Sequence, residues 1–592
     1  MENKELNKLE WKVSNLLRQF DYNQQGYSLV KCMVMRYALI SIKKEVVSVR
    51  EFHGCIGEFF WRLKEQVEQN IDEIVSCLGF EFKDMLLECI VSFSSYSEKE
   101  SGFEQALYMM EELSLEALKE FIIYGFNAVM HRHHYGTPFT LCDLVAGIFD
   151  KSENSVIMDL GCGNGDFLVR NSQIDKNNLY LGYEINYDAK LLTKIRLTLL
   201  GVRNGIYEGN VLKCDTINKA DYIFVEPPFG MKIRNFFDYK DELEYIYQRN
   251  FKPTQTSEWL FLDKALRSLN KSGKCAIVVP EGLLTNQSDV DQRRHLVDNN
   301  YIEAVIKLPQ NLFSYTSIAT SLLILSKDKN NNICKFLDAS ELSNTVGRSV
   351  NLRVDEILTK YNNGDCTSIQ TIDIKENEYI LSVNRYKGLN EIKIESPAKL
   401  GDLVEDIFRG IQIQADILQK YSTNEESHDV YKIVSPGDIV DGTFDTNTLE
   451  KIKIDKNYDR YLLRNNDLLI SCKSTKIKTS IVEIKKDEKI IPSGSIIVVR
   501  CNLDKLSPVY LKMFLDSSLG VKLLASIQTG TTIISINPKA LHGLIISCIS
   551  LEKQKELSVD YLSALDMIRI EKSKIKKLEH KLKNIYDDFL EG

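Results

Sequence analysis

VIMDLGCGNGDFL, residues 156–168, reads as a strand, a glycine loop and the start of a helix. Val156–Leu160 is a short apolar run that carries one acid, Asp159, near its end. Gly161, Gly163 and Gly165 lack Cβ atoms, so the backbone between them turns tightly and approaches a ligand closely. A dinucleotide fingerprint would place its glycines at 161, 163 and 166. Residue 166 is Asp, and a carboxylate there repels a pyrophosphate. The loop therefore argues against a nicotinamide dinucleotide. It suits a cofactor with an adenosine, no phosphate and a cationic sulfonium, toward which Asp159 and Asp166 supply negative charge.

Outward from this loop the texture stays regular. β-rich runs occur at 156–160, 179–184 (LYLGYE), 221–228 (DYIFVEPP), 275–280 (CAIVVP), 302–309 (IEAVIKLP) and 321–326 (SLLILS). Helical patterns lie between several of them, as at 189–200 and 258–269. Strands alternating with helices predict a parallel sheet covered on both faces, an α/β Rossmann-like core. Glu184 ends the second run, 25 residues after Asp159, where an acid accepts hydrogen bonds from both ribose hydroxyls of a nucleoside. Glycine loop, acid and helix together resemble S-adenosylmethionine-dependent methyltransferases. The resemblance implies Asp159, Gly161, Gly163, Gly165 and Glu184 as cofactor-binding residues.

The third run ends in Glu226-Pro227-Pro228-Phe229. Amino-group methyltransferases hold (Asp/Asn/Ser)-Pro-Pro-aromatic at this place. An exocyclic amine such as adenine N6 is a poor nucleophile, because its lone pair is delocalised into the ring. A side-chain oxygen and the carbonyl of the first proline accept its two N–H bonds and aim the lone pair at the methyl. The aromatic ring stacks on the base once it has left the duplex, and the prolines hold the acceptors rigidly. The first residue here is Glu where Asn is usual. It keeps an oxygen acceptor, reaches one methylene further and carries a charge. An apolar pocket raises the pKa of such a group.

The remaining chain bounds the answer. In 592 residues, 75 Lys+Arg face 83 Asp+Glu, a net charge of −8, which excludes a wholly basic nucleic-acid coat protein but not a local basic patch. A hydrophobic share of 44% excludes a disordered chain. The 13 Cys run from Cys32 to Cys548 with no C-x-x-C pair, so neither a zinc ribbon nor a disulfide scaffold is expected, and the usage fits a reducing cytoplasm. The first residues, MENKELNKLEWK, are charged from residue 2 and are no signal peptide, and no apolar run approaches the roughly 20 residues of a membrane helix. Residues 1–130 lack proline and show helical spacing at Leu6, Leu9, Val13, Leu16 and Leu17 and again over 113–129, with Ser114 as a cap. Residues 330–395 are polar and weakly patterned and read as a connecting region. From Leu400 a second β-rich texture begins, with turns at Pro436–Gly437, Asp441–Gly442 and Pro492–Gly494, as in a separate α+β module. Leu557, Tyr561, Ala564, Ile568, Ile575, Leu578, Leu582, Ile585 and Phe589 form a heptad seam, which wants a partner helix.

With these motifs in hand, the chain resembles the methylase subunits of type I restriction–modification systems, the N6-adenine DNA methyltransferase family. YGTPFTLCDLV (135–145) resembles the family's TP motif, which implies Thr137 and Pro138 beside the methionine part of the cofactor. Asn210 stands where the family often has Asp against the cofactor adenine. GKCAIVVPEGLL (273–284), residues 302–327 and ENEYILSVNRY (376–386) resemble its later strands and closing segment. A second resemblance covers the carboxy-terminal part. Residues 399–413, 464–478 and 507–518 look like one target-recognition domain of a type I specificity subunit, and the tail looks like that subunit's spacer helix. The implied architecture is a helical domain (1–130), a methyltransferase domain with connecting segment (131–395), a DNA target-recognition domain (396–550) and a coiled-coil helix (551–592).

The implied function is site-specific methylation of adenine N6 in double-stranded DNA, with S-adenosylmethionine as cofactor and no metal. A homodimer through the tail and a separate nuclease subunit are the implied partners. The rival is a non-catalytic DNA-binding or assembly subunit in which Glu226 marks lost chemistry. Lys473, Lys476 and Lys478 sit in a loop-like stretch and are candidates for DNA phosphates. The tail lysines, among them Lys572, Lys574, Lys576 and Lys577, read more simply as a solvated helix face. No Walker loop is present, and Asp72 with Glu81-Phe82-Lys83 is a chance likeness to a nuclease pattern.

Overall fold

The computed structural model describes residues 22–49, 56–92, 101–125, 136–149, 153–214, 217–232, 256–347, 349–386, 394–412, 421–423, 430–453, 457–472, 477–485, 488–529 and 535–591, with residues 9, 12 and 13. It divides into two compact units, 1–383 and 384–592.

The first unit is built on a nine-stranded sheet. Its strands are β1 (Val156–Leu160), β2 (Leu179–Glu184), β3 (Asn204–Glu208), β4 (Ala220–Val225), β5 (Leu269–Pro280), β6 (Ile302–Lys307), β7 (Thr320–Ser326), β8 (Ile333–Asp338) and, after the hairpin β9 (Ser343–Val346) and β10 (Ser349–Leu352), β11 (Thr367–Gln370). The order across the sheet is β11-β8-β6-β7-β5-β4-β1-β2-β3. β4, β1, β2 and β3 run parallel, as do β4 with β5 and β6 with β8. β7 inserts antiparallel between β5 and β6, and β11 closes the edge antiparallel to β8.

All six β-rich runs of the sequence are strands of this sheet. Their inner members read as continuous apolar runs because both faces are covered: β1 and β4 are buried along nearly their whole length and β7 along all of it. Two expectations change. Residues 330–395 are more than a connection, since β8, β11 and the helix Val354–Asn363 extend the sheet and its cover. Edge strands are half wet, so their sequence stays polar and hides the strand signal. The amino-terminal helices also do not form a core of their own. Tyr22–Ser41, Ile56–Gln69, Phe80–Val91 and Ser101–Glu111 share one hydrophobic cluster with the sheet layer. Ser114 caps its helix as expected, accepting from Ala117 N at 3.2 Å. Asp72 and Glu81 are exposed on separate short helices, and no metal-holding group of His, Cys, Asp or Glu occurs among the described residues. No helix of the described residues is long and apolar enough to cross a membrane.

The second unit holds β12 (Pro397–Lys399) to β22 (Ile545–Ser547). Four strands pair antiparallel from Val404–Arg409 through Ile496–Cys501 and Leu468–Ser471 to Thr479–Ile481, and a three-stranded sheet centres on Val430–Val434. The turns expected at 436–437 and 441–442 form, with Asp441 and Gly442 both at positive φ. A bidentate pair of Arg500 on the buried Asp467 braces the larger sheet. The tail is one helix, Leu551–Glu591. Its first turns are tied down by Gln554, which accepts from Ser507 N, and by Tyr561, which donates to Asp516. Beyond Tyr561, Ile568, Ile575, Leu578 and Leu582 stand in solvent, Leu578 64% and Leu582 72% exposed.

Candidate methyl-transfer site

The carboxyl ends of β1, β2 and β4 bring the expected residues together. Gly161, Gly163 and Gly165 all have positive φ. A Cβ at Gly163 would enter open space, whereas a Cβ at Gly165 would sit 2.7 Å from Thr193, so 163 leaves room for a ligand and 165 lets a helix pack close. The loop is braced from several sides. Thr193 donates to Gly163 O, and Tyr27 from the amino-terminal helix donates to Asn164 Oδ1, both at 2.8 Å.

The acids split into two roles. Asp166 is 5% exposed and bound to the buried Arg196 at 2.8 Å. Arg196 also holds the carbonyls of Asn164 and Ile123. The charge expected to face a ligand from Asp166 is therefore spent inside the protein. Glu184 orders the loop as well: Oε2 accepts Gly163 N at 2.9 Å and Oε1 accepts Asn186 N at 2.7 Å. Each oxygen keeps a second lone pair for a ribose hydroxyl. The apolar Ile185, next in sequence and 68% exposed, adds a surface the motif reading missed. Asp159 is buried, and burial together with Glu226, Glu184 and Asp166 pushes its carboxyl well above the usual range. Asn210 caps a short turn, its Oδ1 accepting Leu212 N at 3.0 Å.

Glu226 follows β4 directly. Its carboxyl is enclosed: Tyr315 donates to Oε1 at 2.7 Å, and Oε2 is buried with no hydrogen bond of ordinary geometry. Burial raises the carboxyl to about 7, against the pull of Thr137 and Tyr315 toward the charged form. Thr137, expected beside a cofactor, is thus placed next to the acceptor carboxyl. Pro138 starts the helix Phe139–Ile148, and its carbonyl accepts from Leu141 and Cys142. Phe229 lies in a three-ring cluster, 5.6 Å from Phe313 and 6.2 Å from Tyr315 between centroids. The buried Glu258 pins the turn after it, accepting Gly230 N at 2.7 Å. Phe313 and Tyr315 lie in the segment 302–327, where the resemblance gave them no role, and Arg196 and Glu258 carry no motif of their own.

This donor set fits a cationic nucleoside cofactor. Carboxylates crowd the loop, Arg196, which reaches it from the helix Tyr187–Leu200, is already paired, and the glycine cradle stays open where a phosphate would meet repulsion. In the second unit Lys478 donates to the carbonyls of Pro436 and Ile439, each at 2.8 Å, so its ammonium braces a turn. Lys473 and Lys476 lie outside the described residues.

The comparisons with known proteins point to DNA methylases. Residues 115–395 match the family model described as N-6 DNA Methylase. The particular relatives are methylase subunits of type I restriction enzymes. The chain is 28% identical over 353 residues to that of MpnII from Mycoplasma pneumoniae, covering 50% of this chain and 64% of the relative. It is 24% identical over 304 residues to that of MjaVIII from Methanocaldococcus jannaschii, covering 46% and 52%. The chain thus spans about half to two thirds of the length of these curated relatives. In fold it is similar to the type I methyltransferase subunit of Streptococcus thermophilus (TM-score 0.50, 17% identity, 65% of this chain and 99% of that one). It is also similar to the type IIG restriction endonuclease BpuSI (TM-score 0.50, 13% identity, 93% and 74%).

Proposed function

We propose that this chain transfers the methyl group of S-adenosylmethionine to adenine N6 in double-stranded DNA, as the modification component of a restriction–modification system. The observation that carries the reading is the placement of Glu226-Pro227-Pro228-Phe229 at the end of β4, beside the glycine loop that follows β1. Glu184 and the loop backbone hold the nucleoside, with Ile185 and Asn210 near the adenine, and the Asp159 carboxyl is drawn back toward its charged form by a sulfonium beside it. The cofactor, when bound, supplies an activated methyl group. Glu226 and the Pro227 carbonyl accept the two N–H bonds of the flipped base and turn its lone pair outward, and Phe229 stacks on the ring. The rate comes from positioning, and no metal is required.

The second unit serves as the DNA-reading module, fused to the methylase in one chain. BpuSI, whose name says restriction endonuclease, is similar in fold over 93% of this chain, which supports joining the two parts in one polypeptide. The exposed seam of the helix Leu551–Glu591 joins two copies, and a separate nuclease subunit completes the system. Single-molecule sequencing of DNA from a methylation-free host expressing the chain tests this directly. Modified adenine at one defined motif is expected. Modification by the Glu226→Asn variant alone would move the chain to a DNA-binding or assembly role.

A further inference from the structure

We propose that Tyr315 is a positioning residue for methyl transfer: its hydroxyl holds Glu226 Oε1, so that Oε2, which makes no hydrogen bond of ordinary geometry, is the carboxyl oxygen left for the acceptor amine. The proposal rests on the reading of this pocket as the site of an exocyclic amine, and it accounts for glutamate where a shorter acceptor is usual. A free glutamate in such a pocket has an extra methylene to place and two equivalent oxygens to offer. The hydrogen bond from Tyr315, 89 residues further along the chain, removes that freedom. It draws one oxygen aside and presents the other singly, as the oxygen of an asparagine amide would be. Oε2 is buried and makes no hydrogen bond of ordinary geometry, with Thr137 standing by the carboxyl, which suits an acceptor that takes an N–H. The tyrosine is itself braced, since its ring lies 28° from the plane of Phe229 and 5.7 Å from Phe313.

The pairing also sets the protonation state. An amine needs acceptors, and a protonated carboxyl offers a donor in the wrong place. The charged form of Glu226 is therefore the working form. Burial opposes it, and so does the Coulombic repulsion of Asp166, itself paired with Arg196. Asp159 on β1 and Cys142 on the helix Phe139–Ile148 also face the carboxyl electrostatically. Tyr315 and Thr137 favour the charged form. Removing the Tyr315 hydroxyl shifts Glu226 further toward the neutral acid.

The test uses the full chain, unmethylated genomic DNA and tritiated S-adenosylmethionine, across acid to alkaline pH. Tyr315→Phe keeps the ring and its packing. Its methyl transfer is expected to fall by roughly tenfold or more at neutral pH, with cofactor affinity unchanged, and to recover in part at alkaline pH. The carboxyl band of Glu226, isolated as the infrared difference against Glu226→Gln, is expected to titrate at higher pH in the Tyr315→Phe chain. A Tyr315→Phe chain with the rate and pH profile of the original overturns the proposal and leaves the methyltransferase reading intact. So does an unmoved carboxyl titration, whatever the rate. Silence of the unaltered chain at every pH overturns the methyltransferase reading and this role with it. A shifted titration in that case would show the Tyr315–Glu226 pair to be real and serving something else.

Discussion

At the residue scale, Glu226 sets activity against stability. The carboxyl sits near 7 in the folded protein and at about 4.5 when unfolded, so the fold favours the protonated acid. The stability this contributes is fully present below about pH 4.5 and is lost as the pH rises through about 7. The loss amounts to about 3 kcal/mol. Urea denaturation should show the difference between the original and Glu226→Gln changing by about this amount between those limits, with the original losing ground as pH rises. Methyl transfer should run the other way, rising with pH as Glu226 ionises. The motif reading found Glu226 and Phe229 because they stand together in the chain. It placed Tyr315 only inside the later segment 302–327, because its pairing with a glutamate 89 residues earlier leaves no trace along the chain.

Among elements, the helix after β2, Tyr187–Leu200, is the support of the glycine loop after β1. It carries Thr193 against Gly163 and Gly165, and Arg196 against Asp166. Both charges of that pair are almost wholly buried, so removing one partner strands the other. Arg196→Met should cost about 3–5 kcal/mol in denaturant unfolding, and adding Asp166→Asn should restore part of it. Gly165→Ala, at φ +83 and against Thr193, should loosen the loop and weaken S-adenosylmethionine binding by calorimetry while the far edge of the sheet, at β8 and β11, keeps its hydrogen-exchange protection. The glycine spacing announced a loop and a close approach. Which acid faces the ligand was not legible there, because Asp159, Asp166 and Glu184 differ only in what packs beside them.

For the whole molecule, the tail is the telling element. The helix Leu551–Glu591 is held at Gln554 and Tyr561 and again by the ion pair of Lys572 with Asp441, and its seam carries Ile568, Ile575, Leu578 and Leu582 into solvent. So large an apolar face on a long helix is costly unless it is covered. Light scattering should find the full chain dimeric. A chain ending after Asp566, or one with Ile575→Lys and Leu578→Lys, should be monomeric with unchanged S-adenosylmethionine affinity.

The sequence alone determined the local structures: the glycine loop, the six β-rich runs, the Ser114 cap, the turns of the second unit and the helical tail. Each follows from the periodicity or backbone freedom of residues close together in the chain. Tertiary structure alone decided the antiparallel insertion of β7, the addition of β8 and β11 from within 330–395 to the sheet, the merging of the amino-terminal helices into the sheet's core, and the partners of Asp166 and Glu226. Those depend on which distant surfaces meet. A buried charge takes whatever neutralising group the fold delivers to it, and no spacing along the chain encodes that neighbour.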